Sequence, residues 1–431
     1  MLKKYFGTDG IRGKFGKEIT PKLAYEIGRA AAQVFNRENA ENVIIVGKDT
    51  RLSSASLESA LASGITAMGT NVILLGVVPT AVVPFSIPFH KACGAIMITA
   101  SHNPSTDNGF KFFNGNGFRI STEQENRIEN LLAHKTRKIK PYNKLGNIIT
   151  KRESVENYIK MVRHELKSGA ESIKVCIDCA NGACSEIAKE IFSKCNCQFV
   201  FSKPNGTNIN DLCGAIHLEN LKNELKSGNF DLGFAFDGDA DRVRVVMANG
   251  NELSGEEIIY LLTKYNNFKS IVTTKMSNIA LSIQLEKENI ACNTVGIGEN
   301  EVICGLLETK SLFGGENNGH YLFLEKGESS DGLISCAQLM SIFALTKNFN
   351  VPFKLFPHFE SAVRVKNKNE VMKSKNLENK IELCESLLGE NGRILVRASG
   401  TESVVRILVE GEDEKLIAEI GETLEKEILS S

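Results

Sequence analysis

Three aspartates stand at alternate positions in "FAFDGDADR", Asp237, Asp239 and Asp241, directly behind an apolar run. Alternate residues of an extended loop can converge their carboxylates on one hard cation, and Gly238 and Ala240 leave room between them. An EF-hand is excluded, because its sixth position would be Arg242 instead of Gly and its twelfth Ala248 instead of Glu. Three carboxylates with no His or Cys favour Mg²⁺ over zinc. The competing reading is a solvated acidic turn. The end of a buried strand in an α/β sheet, where ligands gather, speaks for the metal.

A second strand end carries "TASHNPSTDNGFK", residues 99–111, after the apolar "CGAIMI". Ser101 stands there as nucleophile, phosphate acceptor or turn residue. Its context is no G-x-S-x-G elbow, so an acyl-enzyme fits poorly. An octahedral Mg²⁺ with three Asp ligands wants further oxygen, which a phosphate on Ser101 would supply. His102 reads first as a structural hydrogen-bonder and second as a base. Lys111, flanked by Phe110 and Phe112, is expected to be drawn from water, which favours its neutral, basic form.

Two further loops complete the set. In "FGGENNGH", 313–320, glycines flank a loop presenting Glu316 and His320, which can accept from and donate to vicinal sugar hydroxyls; an ordinary turn reads equally well. In "RASGTES", 397–403, Arg397, the Ser399 and Thr401 hydroxyls and the Gly400 amide make a phosphate cradle, with Arg406 on the following strand. A tight hairpin is the alternative there.

Strand-like runs and amphipathic helices alternate to position these loops. Thr20 and Pro21 open a helix whose face holds Leu23, Ile27, Ala31 and Val34. "NVIIVGKD", "SASLESALASGITAMG" and "NVILLG" make a βαβ unit, predicting a parallel sheet covered on both faces. The rhythm returns in "SIKVCIDCANG", "SEIAKEIF" and "DLGFAFDGD", then in "SGEEIIYLLTKY", "SIVTTK" and "NIALSIQLEK", which implies three units of similar build. The tail differs: strands "AVRVK", "RILVR" and "VVRILVEG" precede a closing helix, an α+β grammar. The basic "HKTRKIKPYNK" reads as the connection out of the first unit and "KNFNVPFKLFPHF" as the one into the last.

Bulk properties narrow the class. With 51 basic and 52 acidic residues there is no basic excess for a nucleic-acid surface. "VILLGVVPTAVVPFSIPF" is long enough to span a membrane, but Pro79, Pro84 and Pro88 make it a strand plus a loop. Eleven cysteines without small-scaffold spacing read as reduced thiols in a cytosolic interior, against a zinc or redox role for Cys176 and Cys179. The start has no apolar stretch behind its lysines, so no signal peptide is expected and the location expected is cytoplasmic.

In this order, "FGTDGIRG", "TASHNP", "DGDADR", "GENNGH" and "RASGTE" resemble the motifs of the α-D-phosphohexomutase superfamily over essentially the whole chain, most closely its bacterial branch acting on glucosamine phosphates. The resemblance implies three similar α/β domains with mixed or parallel sheets, 1–150, 151–252 and 253–350, and a smaller α+β domain, 351–431, around a central cleft. It implies a phosphorylated Ser101 and one Mg²⁺ on Asp237, Asp239, Asp241 and a Ser101 phosphate oxygen. Arg12, Lys111, His102 and Arg242 would surround the transferring phosphate; Glu316, Asn318 and His320 would meet the sugar; Arg397, Ser399, Gly400, Thr401 and Arg406 would hold the other phosphate. The partner implied is a small-molecule sugar phosphate, with glucosamine 1,6-bisphosphate as intermediate and activator, and a homodimer is compatible with it. Phosphomannomutase or phosphoglucomutase activity is the nearest rival, and a Mg²⁺-dependent sugar phosphatase a further one. The chain departs from the family pattern at Asn318 (usually Ser), at Ala398 and Ser403 (usually Pro), and at Ala240 (commonly Gly), the last tolerable if its backbone is ordinary.

Overall fold

The computed structural model describes residues 4–7, 9–37, 42–134, 138–389, 391–399 and 403–430. The first sheet has seven strands, in the order Phe6–Gly7, Gly10–Lys14, Asp107–Asn114, Gly94–Ile98, Val43–Lys48, Asn71–Val77 and Ile148–Thr150. Its last four strands run parallel, as the βαβ rhythm requires. The other three are antiparallel additions. The cause is loop length: residues 99–106 are too few for a parallel crossover, which needs about a dozen or more, so Asp107–Asn114 must return beside Gly94–Ile98 as a hairpin partner.

The same topology occurs three times. In the first sheet Val43–Lys48 lies between Asn71–Val77 and Gly94–Ile98, with Asp107–Asn114 antiparallel outside. The second sheet repeats this with Val175–Asp178 between Cys197–Val200 and Leu232–Phe236, and Val243–Met247 antiparallel outside. The third does so with Ser270–Thr274 between Ala291–Val295 and Phe313–Gly315, and Tyr321–Phe323 outside. The serine loop, the aspartate loop and the Glu316–His320 loop are therefore one and the same connection, the turn between the third and fourth strands of each repeat.

Helices cover these sheets where the periodicity places them. Pro21–Phe35 is capped by the Thr20 hydroxyl, which accepts from Leu23 N at 3.1 Å, and buries Ile27, Ala31 and Val34. The stretch after Asn71–Val77, expected to be a loop, contains two short helices, Val82–Phe85 and Ile87–His90. All eleven cysteines are free. No helix among the described residues is long and apolar enough to cross a membrane.

The backbone divides into two compact units, 1–275 with 293–349, and 276–292 with 350–431. In the second, strands His358–Arg364, Val404–Glu410 and Arg393–Ala398 form an antiparallel sheet with Val404–Glu410 in the middle. Helices Lys375–Leu388 and Glu414–Ser430 cover one face, burying Leu377, Cys384, Ile417, Ile420 and Leu424 against Val405, Ile407 and Val409.

Candidate active site

Ser101 and the three aspartates meet inside the larger unit. Ser101 Oγ donates to Asp237 Oδ2 at 2.8 Å and lies 3.2 Å from His102 Nδ1. Asp237, Asp239 and Asp241 each offer one oxygen, all within 4.8 Å of one another, and all three are buried. Asp239 Oδ2 also accepts from the Thr80 hydroxyl at 2.6 Å, and Thr80 N donates to the Asp239 carbonyl. Among the described residues no other cluster of His, Cys, Asp or Glu has metal-binding geometry.

Lys111 is the internal counter-ion. Its Nζ lies 2.7 Å from Asp239 Oδ2 and 2.5 Å from Asp241 Oδ2. Here the structure corrects the expectation of a neutral lysine. Burial does work to lower its pKa, but Asp239, Asp241 and Asp9 outweigh it, and the result is a lysine held charged above its ordinary value. Neighbouring strand residues face opposite sides of a sheet. Phe110 and Phe112 accordingly join the core beneath helix Pro21–Phe35, while Lys111 faces the carboxylates.

The aspartates are not equivalent. Burial, then Asp241 and Asp239, push Asp237 well above the carboxylate range. Burial also works to raise Asp239, but the Lys111 charge and hydrogen bond, with Thr80, leave it below its ordinary value. Among the described residues, Asp239 Oδ1 and Asp241 Oδ1 are buried without a hydrogen-bond partner. Two orphaned carboxylate oxygens in an all-oxygen cluster fit a hard divalent cation.

Ala240 is a second correction. Its φ is +56°, so the ordinary backbone that would make it harmless is not what the loop adopts. An L-residue there costs about 1–2 kcal/mol relative to the glycine common at this position.

Arg242 bridges two of the loops, donating from Nε to His320 Nε2 at 2.8 Å and from its backbone to Asp237 Oδ1 at 3.3 Å. Asn318 Oδ1 accepts from His320 N at 3.3 Å, and Glu316 Oε1 accepts from Gly298 N at 3.1 Å. Burial raises the Glu316 pKa. Burial, then Arg242 and Arg12, hold His102 down at about 4, so it is neutral at pH 7.

Sequence reasoning missed the layer behind these residues. Asp9 receives Arg12 on one oxygen and Arg119 at 2.6 Å on the other, with Lys111 3.6 Å away. Arg119 also pairs with Glu299 at 3.0 Å, and Glu299 Oε1 accepts from Ser330 N at 2.7 Å. Asp9 and Arg12 are three residues apart, but Lys111, Arg119 and Glu299 reach this layer from distant parts of the chain, and the acidic "GIGENE" was the local sign of Glu299.

The phosphate-loop residues sit in the smaller unit. Arg397 and Arg406 are directly opposite each other across Arg393–Ala398 and Val404–Glu410, beside a cavity of about 230 Å³ lined also by Glu360, Leu395 and Leu408. Lys368 Nζ donates to the Ser399 carbonyl, and Ser399 N to the Val404 carbonyl at 2.9 Å. Gly400 and Thr401 lie outside the described residues.

Comparison with known proteins gives these loops a family. Residues 3–138, 156–250 and 254–354 match the alpha/beta/alpha domains I, II and III of phosphoglucomutase/phosphomannomutase, and 360–427 its C-terminal domain. A phosphoglucosamine mutase of Carboxydothermus hydrogenoformans is 38% identical, with 97% of this chain and 98% of the relative covered. One of Bacillus subtilis is 36% identical, with 97% and 96% covered. The chain belongs to the phosphoglucosamine mutase family. It is thus an enzyme of the phosphohexomutase class, with the four-domain make-up of that class. In fold it is similar to a phosphoglucomutase/phosphomannomutase family protein of Burkholderia thailandensis (TM-score 0.81, 23% identity, 97% of this chain and 96% of that one). It is likewise similar to the N-acetylphosphoglucosamine mutase of Aspergillus fumigatus, solved with GlcNAc-6P and magnesium (TM-score 0.64, 16% identity, 99% and 96%).

Proposed function

We propose that this chain interconverts glucosamine 6-phosphate and glucosamine 1-phosphate, with Ser101 carrying the phosphoryl group. The observation that carries the reading is the Ser101 hydroxyl 2.8 Å from Asp237 inside a buried aspartate cluster. No other serine contacts that cluster among the described hydrogen bonds. Phospho-Ser101 gives its phosphoryl to O1 of the sugar, the bond to Oγ breaking as the bond to O1 forms. The resulting 1,6-bisphosphate turns in the site and returns its 6-phosphoryl to Oγ, leaving glucosamine 1-phosphate. In each half-reaction one proton moves from the attacking oxygen to the leaving one, and neutral His102, 3.2 Å from Oγ, is placed on the serine side of that transfer.

Asp237, Asp239, Asp241 and a phosphate oxygen on Ser101 would hold Mg²⁺, the metal named for the Aspergillus complex. When bound, such an ion neutralises charge on the phosphoryl group. Lys111, Arg12 and Arg242 add positive charge from this chain's own side chains. Glu316, Asn318 and His320 take the sugar hydroxyls. Arg397, Ser399, Gly400, Thr401 and Arg406 take the phosphate that is not being transferred.

Rates on the 6-phosphates of glucosamine, mannose and glucose, with peptide mapping of Ser101 by mass, test the reading. Glucosamine 6-phosphate should be preferred, with a phosphoryl on Ser101 and almost no free phosphate. A large preference for mannose would overturn the substrate, and phosphate release as fast as isomerisation would overturn the mutase in favour of a phosphatase.

A further inference from the structure

The backbone of the serine loop is gripped from two sides by donors that the chemistry above leaves unused. From the first repeat, Arg51 Nη2 donates to the carbonyls of Ser101 and Asn103, both at 2.9 Å, and Nη1 to those of Pro104 and Asp107. The Arg51 charge is matched by Asp49, Nε to Oδ2 at 2.8 Å, with both side chains fully buried. Asp49 accepts from the Thr99 hydroxyl at 2.8 Å, and Thr99 Oγ1 accepts from Ser101 N at 2.9 Å. From the second repeat, Asn210 Nδ2 donates to the same two carbonyls, Ser101 at 2.8 Å and Asn103 at 3.1 Å.

Asn210 is 6% exposed, has φ +58°, and donates its own backbone N–H to the Ala180 carbonyl. Only the amide nitrogen can donate to two carbonyls, which sets the orientation of the side chain. Its Oδ1 is left buried without a partner among the described residues, an arrangement that costs stability. Gly238 of the aspartate loop closes a third side, since a Cβ there would come within 2.6 Å of the Ser101 carbonyl. Ser101 itself has φ +51°, a conformation that persists only where the surroundings over-determine it.

We infer that Arg51 and Asn210 are positioning residues for phosphoryl transfer, pinning the carrier loop in its left-handed turn so that Ser101 Oγ keeps facing Asp237. The inference rests on Ser101 as carrier. A serine that gives up and regains a phosphoryl needs the same in-line approach in both half-reactions, and a drift of about 1 Å can cost on the order of 10²-fold in rate.

The test uses Asn210→Gly and Asn210→Asp, which both accept a left-handed backbone and both lose the donor, the aspartate adding repulsion. It also uses Arg51→Lys, which keeps the charge beside Asp49 and loses the fork. Expected is a kcat lower by about tenfold for Asn210→Gly and about 10²-fold for Asn210→Asp and Arg51→Lys, at saturating Mg²⁺. The KM for the sugar phosphate should stay within about twofold, with melting temperatures close to wild type. Wild-type kcat in the folded variants, or a kcat loss that only follows unfolding, would overturn the clamp. The unaltered chain run alongside separates the two ideas. Turnover there without a phosphoryl on Ser101 overturns the carrier, and the clamp with it. A phosphorylated, active wild type with unaffected variants overturns the clamp alone.

Discussion

The two charged regions of this chain are built on opposite plans. Around Ser101 every cation faces an anion from the chain itself: Lys111 on Asp239 and Asp241, Arg12 and Arg119 on Asp9, Arg51 on Asp49. In the smaller unit the sheet sets Arg397 opposite Arg406, although Arg393 on the same strand faces and pairs with Glu410 at 2.8 Å. Like charges directly across a strand pair are unfavourable. The first plan organises a site before any ligand arrives; the second sets two cations beside a cavity that an anion can enter.

Breaking the first plan should have the larger consequences. Ser101→Ala should lower mutase turnover by at least about 10⁴-fold with the fold intact, since no neighbour can replace the carrier oxygen. Substantial turnover with 1,6-bisphosphate supplied would rule out a covalent carrier. Lys111→Met should cost about 3–5 kcal/mol in denaturant unfolding, because it leaves buried carboxylates uncompensated, and added Mg²⁺ should restore part of it.

That deficit should depend on pH in a definite sense. Lys111 lowers the Asp239 pKa in the folded state, so its stabilisation is complete above the unfolded value of 3.8 and is lost as pH falls through the lower folded value. The difference between wild type and Lys111→Met should therefore shrink below about pH 4. A deficit that grows on acidification would place the lysine's partner elsewhere.

Breaking the second plan should affect binding and spare the fold. Arg397→Ala should reduce kcat/KM by about 10²-fold, the scale of one charge-assisted contact to phosphate. Unfolding free energy should stay within about 0.5 kcal/mol of wild type, or rise slightly as the facing charges are relieved. Loss of the Ser101 phosphoryl in that variant would show that the two regions are not separate in function.

The strands and the aspartate loop were legible because their signals are local: alternating or continuous apolar runs, and three carboxylates at spacing two. Ser101 was legible as a position, and the family motifs supplied the role proposed for it. Lys111 was found but its charge state was misread, because Phe110 and Phe112 adjoin it in sequence yet face the other side of the sheet. Arg51, Asn210, Thr80 and Arg119 reach partners at least 50 residues away in sequence, and nothing within ten residues of Asn210 announces that it reaches Ser101. Ala240 shows the same limit, since a backbone angle is not written in residue type.

The segment 276–292 has a consequence for synthesis. It belongs with residues 350–431: Asn278 exchanges two hydrogen bonds with the Phe356 backbone, and Ser277 O accepts from Arg393 at 2.7 Å. Its helix Ile279–Lys287 carries Leu281 and Leu285, both fully buried in the finished protein. A ribosome adding about 5–20 residues per second makes this helix several seconds before the partners that complete its unit. During that interval Asn278 and Ser277 lack the Phe356 and Arg393 groups they bond in the finished protein, so 276–292 is made before the rest of its own unit exists.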